Sequence, residues 1–269
     1  MDAAKMIELT PLDLGIAAFL LVALAACSVI LQLNLAQRLV IAAVRTTVQL
    51  LLIGFVLRWL FAVQHPGWVL GLGLVMVLLA GREVHARQRR RVQGIAGWFV
   101  GTGAMLVSSF VISIYALTMV IEAEPWYAAR YAIPLLGILL GNTMNGISLG
   151  TDRLTSLCWQ QRAAIEQRLL LGQGRDEALR DIRQESMRAG LIPIINAMAA
   201  AGIVSLPGTM TGQLLAGAAP LDAVRYQILI MFLIAAGTGF GTLLAVWQTG
   251  NLLFDERQRL RLDRLQGEG

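Results

Sequence analysis

Residues 14–37 read LGIAAFLLVALAACSVILQLNLAQ, a run of 24 residues without one charged side chain. A helix that crosses the roughly 30 Å hydrocarbon core of a bilayer needs about 20 mainly apolar residues. The run is also too long for the apolar core of a signal peptide, which spans about 7–15 residues. It therefore predicts a membrane helix that stays in the mature chain.

The composition of the whole chain agrees with this interpretation. Hydrophobic residues make up 57% of the 269 residues and charged residues 14%, whereas an average soluble domain has about 25% charged residues. The mean hydropathy is +0.66. The sequence therefore predicts an all-α, polytopic membrane protein, built as a bundle of transmembrane helices with lipid as its main solvent.

Cutting the sequence at its charged residues yields about seven predicted spans in one transmembrane domain, residues 1–269. Their approximate limits are 14–33, 37–61, 67–84, 97–121, 131–150, 189–206 and 226–247. The third is the weakest, because its uncharged core ends at Gly81. The segment 206–220, LPGTMTGQLLAGAAP, contains Pro207 and Pro220, and proline kinks or ends a helix. It predicts a bent re-entrant segment or an outer loop.

The distribution of Lys and Arg predicts the orientation. Seventeen basic residues fall on one side of the seven spans and four on the other, with Arg45 set aside as intramembrane. The richer side contains Arg38, residues 82–91, the loop 151–188 and the C-terminus. Because Lys and Arg accumulate in cytoplasmic loops, the C-terminus is predicted to be cytoplasmic and the N-terminus to lie outside.

The charged segment at about 151–188 predicts a cytoplasmic helical hairpin. Apolar residues recur at helical spacing on both sides of a Leu-Gly-Gln-Gly turn that contains Gly172 and Gly174. Asp176 and Glu177 follow the turn, which is typical of a helix start. Two interpretations stay open: a solvated hairpin, or a docking element for a partner protein.

Polar residues inside the predicted spans form the candidate substrate path. Arg45 and Gln49 lie one turn apart in the second span, and Asn142 and Asn145 lie in the fifth. Polar side chains at this depth cost free energy unless they are paired or hydrated, so these four are predicted to face the bundle interior near one another. The complete candidate set is Arg45, Gln49, Asn142, Asn145, Ser148, Asn196, Met210, Thr211 and Gln213. The alternative is that these polar residues only stabilise the packing of the helices and do not contact a substrate.

Several chemistries lack the residues that they require. The only Lys is Lys5, so the ATP-binding loop G-x-x-x-x-G-K-[ST] is absent. His65 and His85 form no metal-binding pair, and Cys27 and Cys158 are predicted to be free thiols. No basic patch with interleaved aromatic residues indicates nucleic-acid binding. No catalytic residue and no bound cofactor is predicted for this chain. The sequence does not identify metal ligands; a hard cation would need oxygen ligands, for which the candidates are Asn142, Asn145, Asn196 and Gln213.

Three segments together resemble the FetB-type (YbbM-like) permeases. They are RTTVQLLLIG (45–54), IPLLGILLGNTMNGISL (133–149) and SLPGTMTGQLLAGAAPLDAVRYQILIMF (205–232). These permeases are described as the membrane subunit of a bacterial iron-export ABC transporter, with plant relatives tied to aluminium tolerance. The resemblance covers nearly the whole chain. It implies a multi-pass protein of the bacterial inner membrane that exports metal ions, iron in particular.

The resemblance also implies protein partners. ATP and Mg²⁺ would bind a separate cytoplasmic ABC ATPase subunit, and two copies of the chain would work with two ATPases. Glu166, Leu169 and Gly172 resemble the Glu…Gly loop by which bacterial permeases dock onto that subunit, and Glu177 completes the docking set. The distance from Gly172 to Pro193 is longer than in importer permeases, so only the docking role is carried over.

The leading rival is a stand-alone secondary transporter or channel in which Arg45 is the coupling charge. The uncharged stretches that define the predicted spans contain no Asp or Glu, which disfavours a proton or sodium relay. A non-transporting scaffold is a second rival, and an intramembrane enzyme lacks a nucleophile and a base. An ATPase with its own phosphate-binding loop, encoded in the adjacent reading frame, would favour the exporter.

Overall fold

The computed structural model describes residues 10–63 and 65–266, so Lys5 lies outside the described residues. Within these ranges the chain forms helices and no β-strand, only isolated bridges. The helices are α1 Pro11–Ile30, α2 Ala36–Val63, α3 Pro66–Arg87, α4 Ile95–Met105, α5 Val111–Tyr115, α6 Ala129–Gln160, α7 Arg162–Leu170, α8 Arg175–Ala178, α9 Arg180–Ala200, α10 Gly208–Leu215 and α11 Pro220–Leu252. The all-α prediction is confirmed.

Helices α4 and α5 belong to one continuous helix of 26 residues, Ile95–Val120. It contains two π-helical segments, Leu106–Phe110 and Ala116–Val120. A π-helical turn holds more residues than an α-helical turn and is frequent at functional sites. The two segments therefore change which side chains this helix turns towards its neighbours.

Within the described ranges, six helices are long and apolar enough to cross a membrane. They are α1, α2, α3, Ile95–Val120, α6 and α11, which correspond to all predicted spans but the sixth, and the polytopic helical bundle is confirmed. The sixth, predicted at 189–206, differs: α9 begins nine residues earlier, at Arg180, and ends at Ala200. Its first half is charged and lies beyond the apolar part, so α9 is not a simple span.

The chain after α9 forms a short helix between two turns. It bends after α9, forms the eight-residue α10, and turns again at Gly217, where a φ of +87° suits glycine. Thr209 of α10 hydrogen-bonds Gln227 of α11. The predicted bent segment 206–220 thus contains a helix, and α11 begins at Pro220 rather than near residue 226.

Three parts of the chain that are distant in sequence meet at one end of the bundle, termed the basic end. They are the turn between α3 and α4, the α7–α8 hairpin and the C-terminal segment 253–266. The Gln93 amide donates to the Arg264 carbonyl over 2.7 Å, and the Arg175 amide donates to Gln258 Oε1 over 3.2 Å. Three of the four clusters of basic residues that the sequence assigns to the cytoplasmic side therefore lie at the same end of the bundle.

Helices α6, α9 and α11 approach one another closely at glycines. A Cβ atom added at Gly190 of α9 would lie 2.6 Å from the Gly146 carbonyl oxygen of α6 and 2.6 Å from Thr242 Cγ2 of α11. A Cβ atom added at Gly150 of α6 would lie 2.9 Å from Thr242 Cγ2. Because small residues four apart allow membrane helices to pack closely, the glycine spacing explains this three-helix contact.

Helices α1 and α2 lie at the edge of the bundle. The apolar stretch of α2 has no buried residue, and that of α1 is 11% buried. Large apolar side chains such as Phe19 and Phe55 are exposed on them. A soluble protein rarely exposes so wide an apolar surface, so these two helices fit contact with lipid.

Thiol labelling tests the predicted orientation. Glu124 lies in the turn before α6, and Glu177 lies in α8 at the basic end. In a chain with Cys27 and Cys158 replaced, Glu124→Cys should react with a membrane-impermeant reagent from outside and Glu177→Cys from inside, because α6 crosses the membrane between them. Reaction of both from the same face would contradict the orientation.

The contact at Gly190 predicts a large effect of one methyl group. Gly190→Ala should lower the free energy of unfolding by about 1–3 kcal/mol, because its Cβ would collide with a backbone carbonyl. Gly141→Ala on α6 is the matched control: nothing lies within 4 Å of an added Cβ, and alanine favours the helix. Thermal unfolding in detergent measures both variants. Equal melting temperatures would show that the close contact does not constrain the bundle.

Candidate functional site

A chain of polar contacts, termed the polar network, joins three helices on one side of the bundle. Arg45 Nη2 of α2 donates to Glu83 Oε2 of α3 over 3.2 Å. Arg87 Nε lies 3.5 Å from Glu83 Oε1, and Arg87 Nη1 donates to Asn145 Oδ1 of α6 over 2.9 Å. Two residues of the predicted path, Arg45 and Asn145, are therefore connected through two residues of α3.

The polar network faces outward from the single chain. The side chains of Arg45, Arg87 and Glu83 are 58%, 43% and 31% exposed. Arg45 lies nine residues after the start of α2, about 14 Å at 1.5 Å per residue. The prediction that Arg45 and Asn145 face the bundle interior is wrong, because α2 is too peripheral to enclose them.

Gln49 and Asn142 do not join the polar network. Gln49 is exposed on α2, one turn from Arg45. Asn142 is half-buried, and its amide donates to the Ile138 carbonyl of its own helix over 2.9 Å. Of the four residues that the sequence predicts to lie together, the structure links Arg45 and Asn145 only.

Glu83 is the candidate that sequence reasoning missed. The uncharged stretch of the third predicted span ends at Gly81, whereas α3 continues to Arg87. Glu83 and Arg87 lie one turn apart on the same helix face, so their spacing was the available signal. Glu83 places an acid within a membrane-length helix, which removes the main objection to a charge relay.

The remaining path candidates lie elsewhere. Ser148 of α6 is buried, and Asn196 of α9 is exposed. Met210, Thr211 and Gln213 are half-buried on α10, which packs on the first part of α11 and not on the polar network. The structure therefore does not join all nine predicted residues into one path.

A cavity of about 590 Å³ lies between the end of α9, α10 and α11. Met198, Met210 and Met231 contribute thioethers to its wall, and Gln227 contributes an amide. Thioethers suit soft metals and offer little to a hard cation. In the part of the chain that the structure describes, no three His, Cys, Asp or Glu side chains are grouped as metal ligands.

Three of the four predicted docking residues line one open groove of about 680 Å³, termed the basic-end groove. Glu166, Leu169 and Gly172 form one wall, and the C-terminal segment forms the other with residues such as Leu260. Glu177 lines a neighbouring groove. The predicted docking set did not include the C-terminal segment.

The α7–α8 turn has the backbone of a glycine-capped helix end. Gly172 has a φ of +88°, in the left-handed region that favours glycine, and the Gln173 amide donates to the Arg168 carbonyl over 3.1 Å. Leu170 and Leu171 directly precede it and are 87% and 84% exposed. The turn therefore presents two apolar side chains at the basic end.

Charged side chains fix this turn to the long helices. Arg168 Nη2 donates to Asp181 Oδ2 of α9 over 2.9 Å. Arg183 of α9 donates to Asp176 Oδ1 over 2.6 Å and to Asn251 Oδ1 of α11 over 2.9 Å. Arg183 is buried, so these partners hold a charge that is shielded from water. A displacement of the turn would therefore act on α9 and α11.

The C-terminal segment has its own ion pair beside the groove. Arg261 Nε and Nη2 donate to the two carboxylate oxygens of Asp263 over 2.8 Å each. This pairing lowers the pKa of Asp263 to about 2 from 3.8. Because the folded-state pKa is lowered, the pair stabilises the fold above the unfolded pKa and is lost as the pH falls towards 2. The segment keeps this contact at physiological pH.

The chain is similar to known proteins over most of its length. The family model described as "Uncharacterised protein family (UPF0014)" matches residues 11–254. The UPF0014 membrane protein slr1647 of Synechocystis is 38% identical over 95% of this chain and 98% of its own length. The UPF0014 membrane protein YjkA of Bacillus subtilis is 33% identical over 83% of this chain and 87% of its own.

A third relative has a functional name. The "Probable iron export permease protein FetB" of Escherichia coli is 28% identical over 82% of this chain and 83% of its own length. No solved structure matches the chain.

Proposed function

The chain belongs to the UPF0014 family of membrane proteins, and from this premise we propose that it is the membrane-spanning permease subunit of an ATP-driven metal exporter. The observation that carries the proposal is the basic-end groove, beside which Leu170 and Leu171 are exposed. Apolar side chains exposed at a polar end of a membrane protein mark a surface for a partner. The proposed partner is a cytoplasmic ABC ATPase.

ATP and Mg²⁺ belong to that partner in this proposal. The chain has one Lys, so it lacks the phosphate-binding loop that holds ATP in such ATPases. The basic end would face the cytoplasm of a bacterial cell, because Lys and Arg accumulate on the cytoplasmic side of the inner membrane. The docking surface and the nucleotide would then be in the same compartment.

The contacts of the α7–α8 turn supply a mechanism for coupling. An ATPase that contacts Leu170 and Leu171 would displace the turn when it binds and hydrolyses ATP. Arg168 connects the turn to Asp181 of α9, and Arg183 connects α9 to α11. The displacement would therefore shift two helices of the central bundle and alternate the permease between two conformations.

The polar network is the proposed cargo path. Charged side chains at the depth of Arg45 and Glu83 are unfavourable against lipid, yet Arg45 is exposed and Glu83 is partly exposed on the single chain. A second copy packed on the α2–α3–α6 face would cover them and enclose a path between the two copies. Oxygen atoms of Glu83 and Asn145, which are paired with Arg45 and Arg87 in this conformation, would suit a hard cation once the arginines move away. Iron is proposed because the Escherichia coli relative is named "Probable iron export permease protein FetB".

The Arg45–Glu83 pair favours a second candidate function, a stand-alone secondary transporter. A carboxylate within a membrane-length helix, 3.2 Å from an arginine, is the kind of group that couples cargo to proton movement. In that case transport would follow an ion gradient and would need no ATPase. The two candidates therefore differ in the energy source that they require.

Two substitutions in the basic-end groove test the docking proposal. Gly172→Pro forces φ near −65° where the turn needs +88°, and Glu166→Arg reverses a charge on the groove wall. Both should lower ATPase co-purification roughly tenfold, which equals about 1.4 kcal/mol of binding, while the chain stays inserted in the membrane. Asp222→Arg, in the first turn of α11, is the matched charge-reversal control.

Co-purification of an ATPase encoded beside this chain, and hydrolysis stimulated by the permease, are the measurements. Normal values for both groove variants would overturn the docking assignment. A loss in the Asp222→Arg control as well would show a general effect of charge reversal rather than a docking surface.

Asn145→Ala should separate transport from stability. Hydrogen bonds between membrane helices average about 0.6 kcal/mol, so the melting temperature should barely change. Iron export should fall severalfold, because the polar network loses its α6 member. Asn142→Ala is the matched control, since its amide bonds only to its own helix. A loss of stability with full export per folded molecule would remove Asn145 from the path.

A further inference from the structure

Three buried threonines lie where α6 and α11 meet, and their hydroxyl groups have no hydrogen-bond partner. Thr143 of α6, Thr238 and Thr242 of α11 are 0%, 2% and 0% exposed. None of the three Oγ1 atoms is paired within the described part of the chain. Together they are termed the hydroxyl seam.

Glycine contacts show that the three threonines share one narrow interface. A Cβ atom added at Gly146 would lie 2.5 Å from Thr238 Cγ2 and 2.7 Å from Thr242 Oγ1. A Cβ atom added at Gly241 would lie 2.6 Å from Thr143 Cγ2. The threonines of each helix therefore pack directly on glycine backbone of the other, with no side chain between.

Other buried threonines on α6 satisfy their hydroxyls locally. Thr151 Oγ1 donates to the Ile147 carbonyl over 2.7 Å, and Thr155 Oγ1 donates to the Thr151 carbonyl over 3.1 Å. Such bonds to a carbonyl one turn earlier are common for Ser and Thr in helices. The hydroxyl seam lacks them, and an unpaired buried polar group in a native structure calls for a reason.

We propose that the hydroxyl seam is a water-binding site, closed in this conformation, that fills when α11 moves away from α6. Water would supply the partners that the hydroxyls lack, which favours the open form. Uncharged oxygens bind water and hydrated cations without trapping them, so the open seam would give a polar cargo a hydrated passage within one chain. Only this last step rests on the proposed function.

Three features favour such a movement. Gly146 of α6 and Gly190 of α9 have no side chains, so the helices can separate at these positions without moving interdigitated side chains apart. The π-helical segment Leu106–Phe110 packs against α6 and α11, and π-helical segments are frequent at functional sites. Arg183 joins α9 to Asn251 of α11 over 2.9 Å, so a displacement at the basic end reaches the seam.

Valine substitutions test the seam, because valine has the shape of threonine without the hydroxyl. Thr143→Val and Thr242→Val should keep or raise the melting temperature, since each removes an unpaired buried hydroxyl, and should lower ATP-driven export severalfold. Thr155→Val is the matched control, since its hydroxyl is paired within its own helix; export per inserted molecule should stay unchanged. Unchanged export in the two seam variants would overturn the inference and leave the proposed function intact.

Thiol labelling tests hydration of the seam without a transport assay. In a chain with Cys27 and Cys158 replaced, Thr242→Cys should resist a water-soluble maleimide in nucleotide-free membranes. It should react in the complex with the ATPase and a non-hydrolysable ATP analogue, whereas Thr155→Cys should stay unreactive. No labelling of Thr242→Cys in either state would overturn the seam. Labelling that appears only under a proton or sodium gradient, without the ATPase, would support the seam and count against the ATP-driven function.

Discussion

The close contact of α6, α9 and α11 at Gly146, Gly150 and Gly190 is the constraint on which the rest of the structure depends. Lipid is as apolar as the side chains, so membrane helices associate through close packing and hydrogen bonds rather than through the hydrophobic effect. Helix α9 has only twelve residues after Arg188, about 18 Å at 1.5 Å per residue. It is too short to cross a bilayer alone, so its place in the bundle comes from its contact with α6 and α11.

Helix length extends this constraint to the basic end. Helices α6 and α11 have 32 and 33 residues, about 48 and 50 Å, which exceeds the roughly 30 Å hydrocarbon core. Their excess length and the charged first half of α9 support the α7–α8 turn. Helix α6 also carries Thr143 of the hydroxyl seam and Asn145 of the polar network. One set of helices therefore connects the proposed docking surface with both proposed passages.

Local composition predicts the helices of this chain better than it predicts their contacts. Uncharged runs indicate the membrane helices because insertion depends on composition within one segment. A charge, however, marks the membrane surface and not the helix end, which is why the third span was ended at residue 84, three residues before α3 ends at Arg87, and the start of α9 was placed nine residues late. Contacts depend on distant segments: Asn145 meets Arg87 58 residues away, and Arg175 meets Gln258 83 residues away. No local pattern predicts either pair.

ATP-driven iron movement in sealed vesicles tests most directly whether this chain is the permease of a two-component exporter. The purified chain and a candidate ABC ATPase from an adjacent reading frame would be reconstituted with the basic end outward, and ferrous iron would be measured in the vesicle lumen. Iron is predicted to accumulate only when the chain, the ATPase, ATP and Mg²⁺ are all present. Iron movement by the chain alone under a proton or sodium gradient would contradict the proposal and identify a secondary transporter.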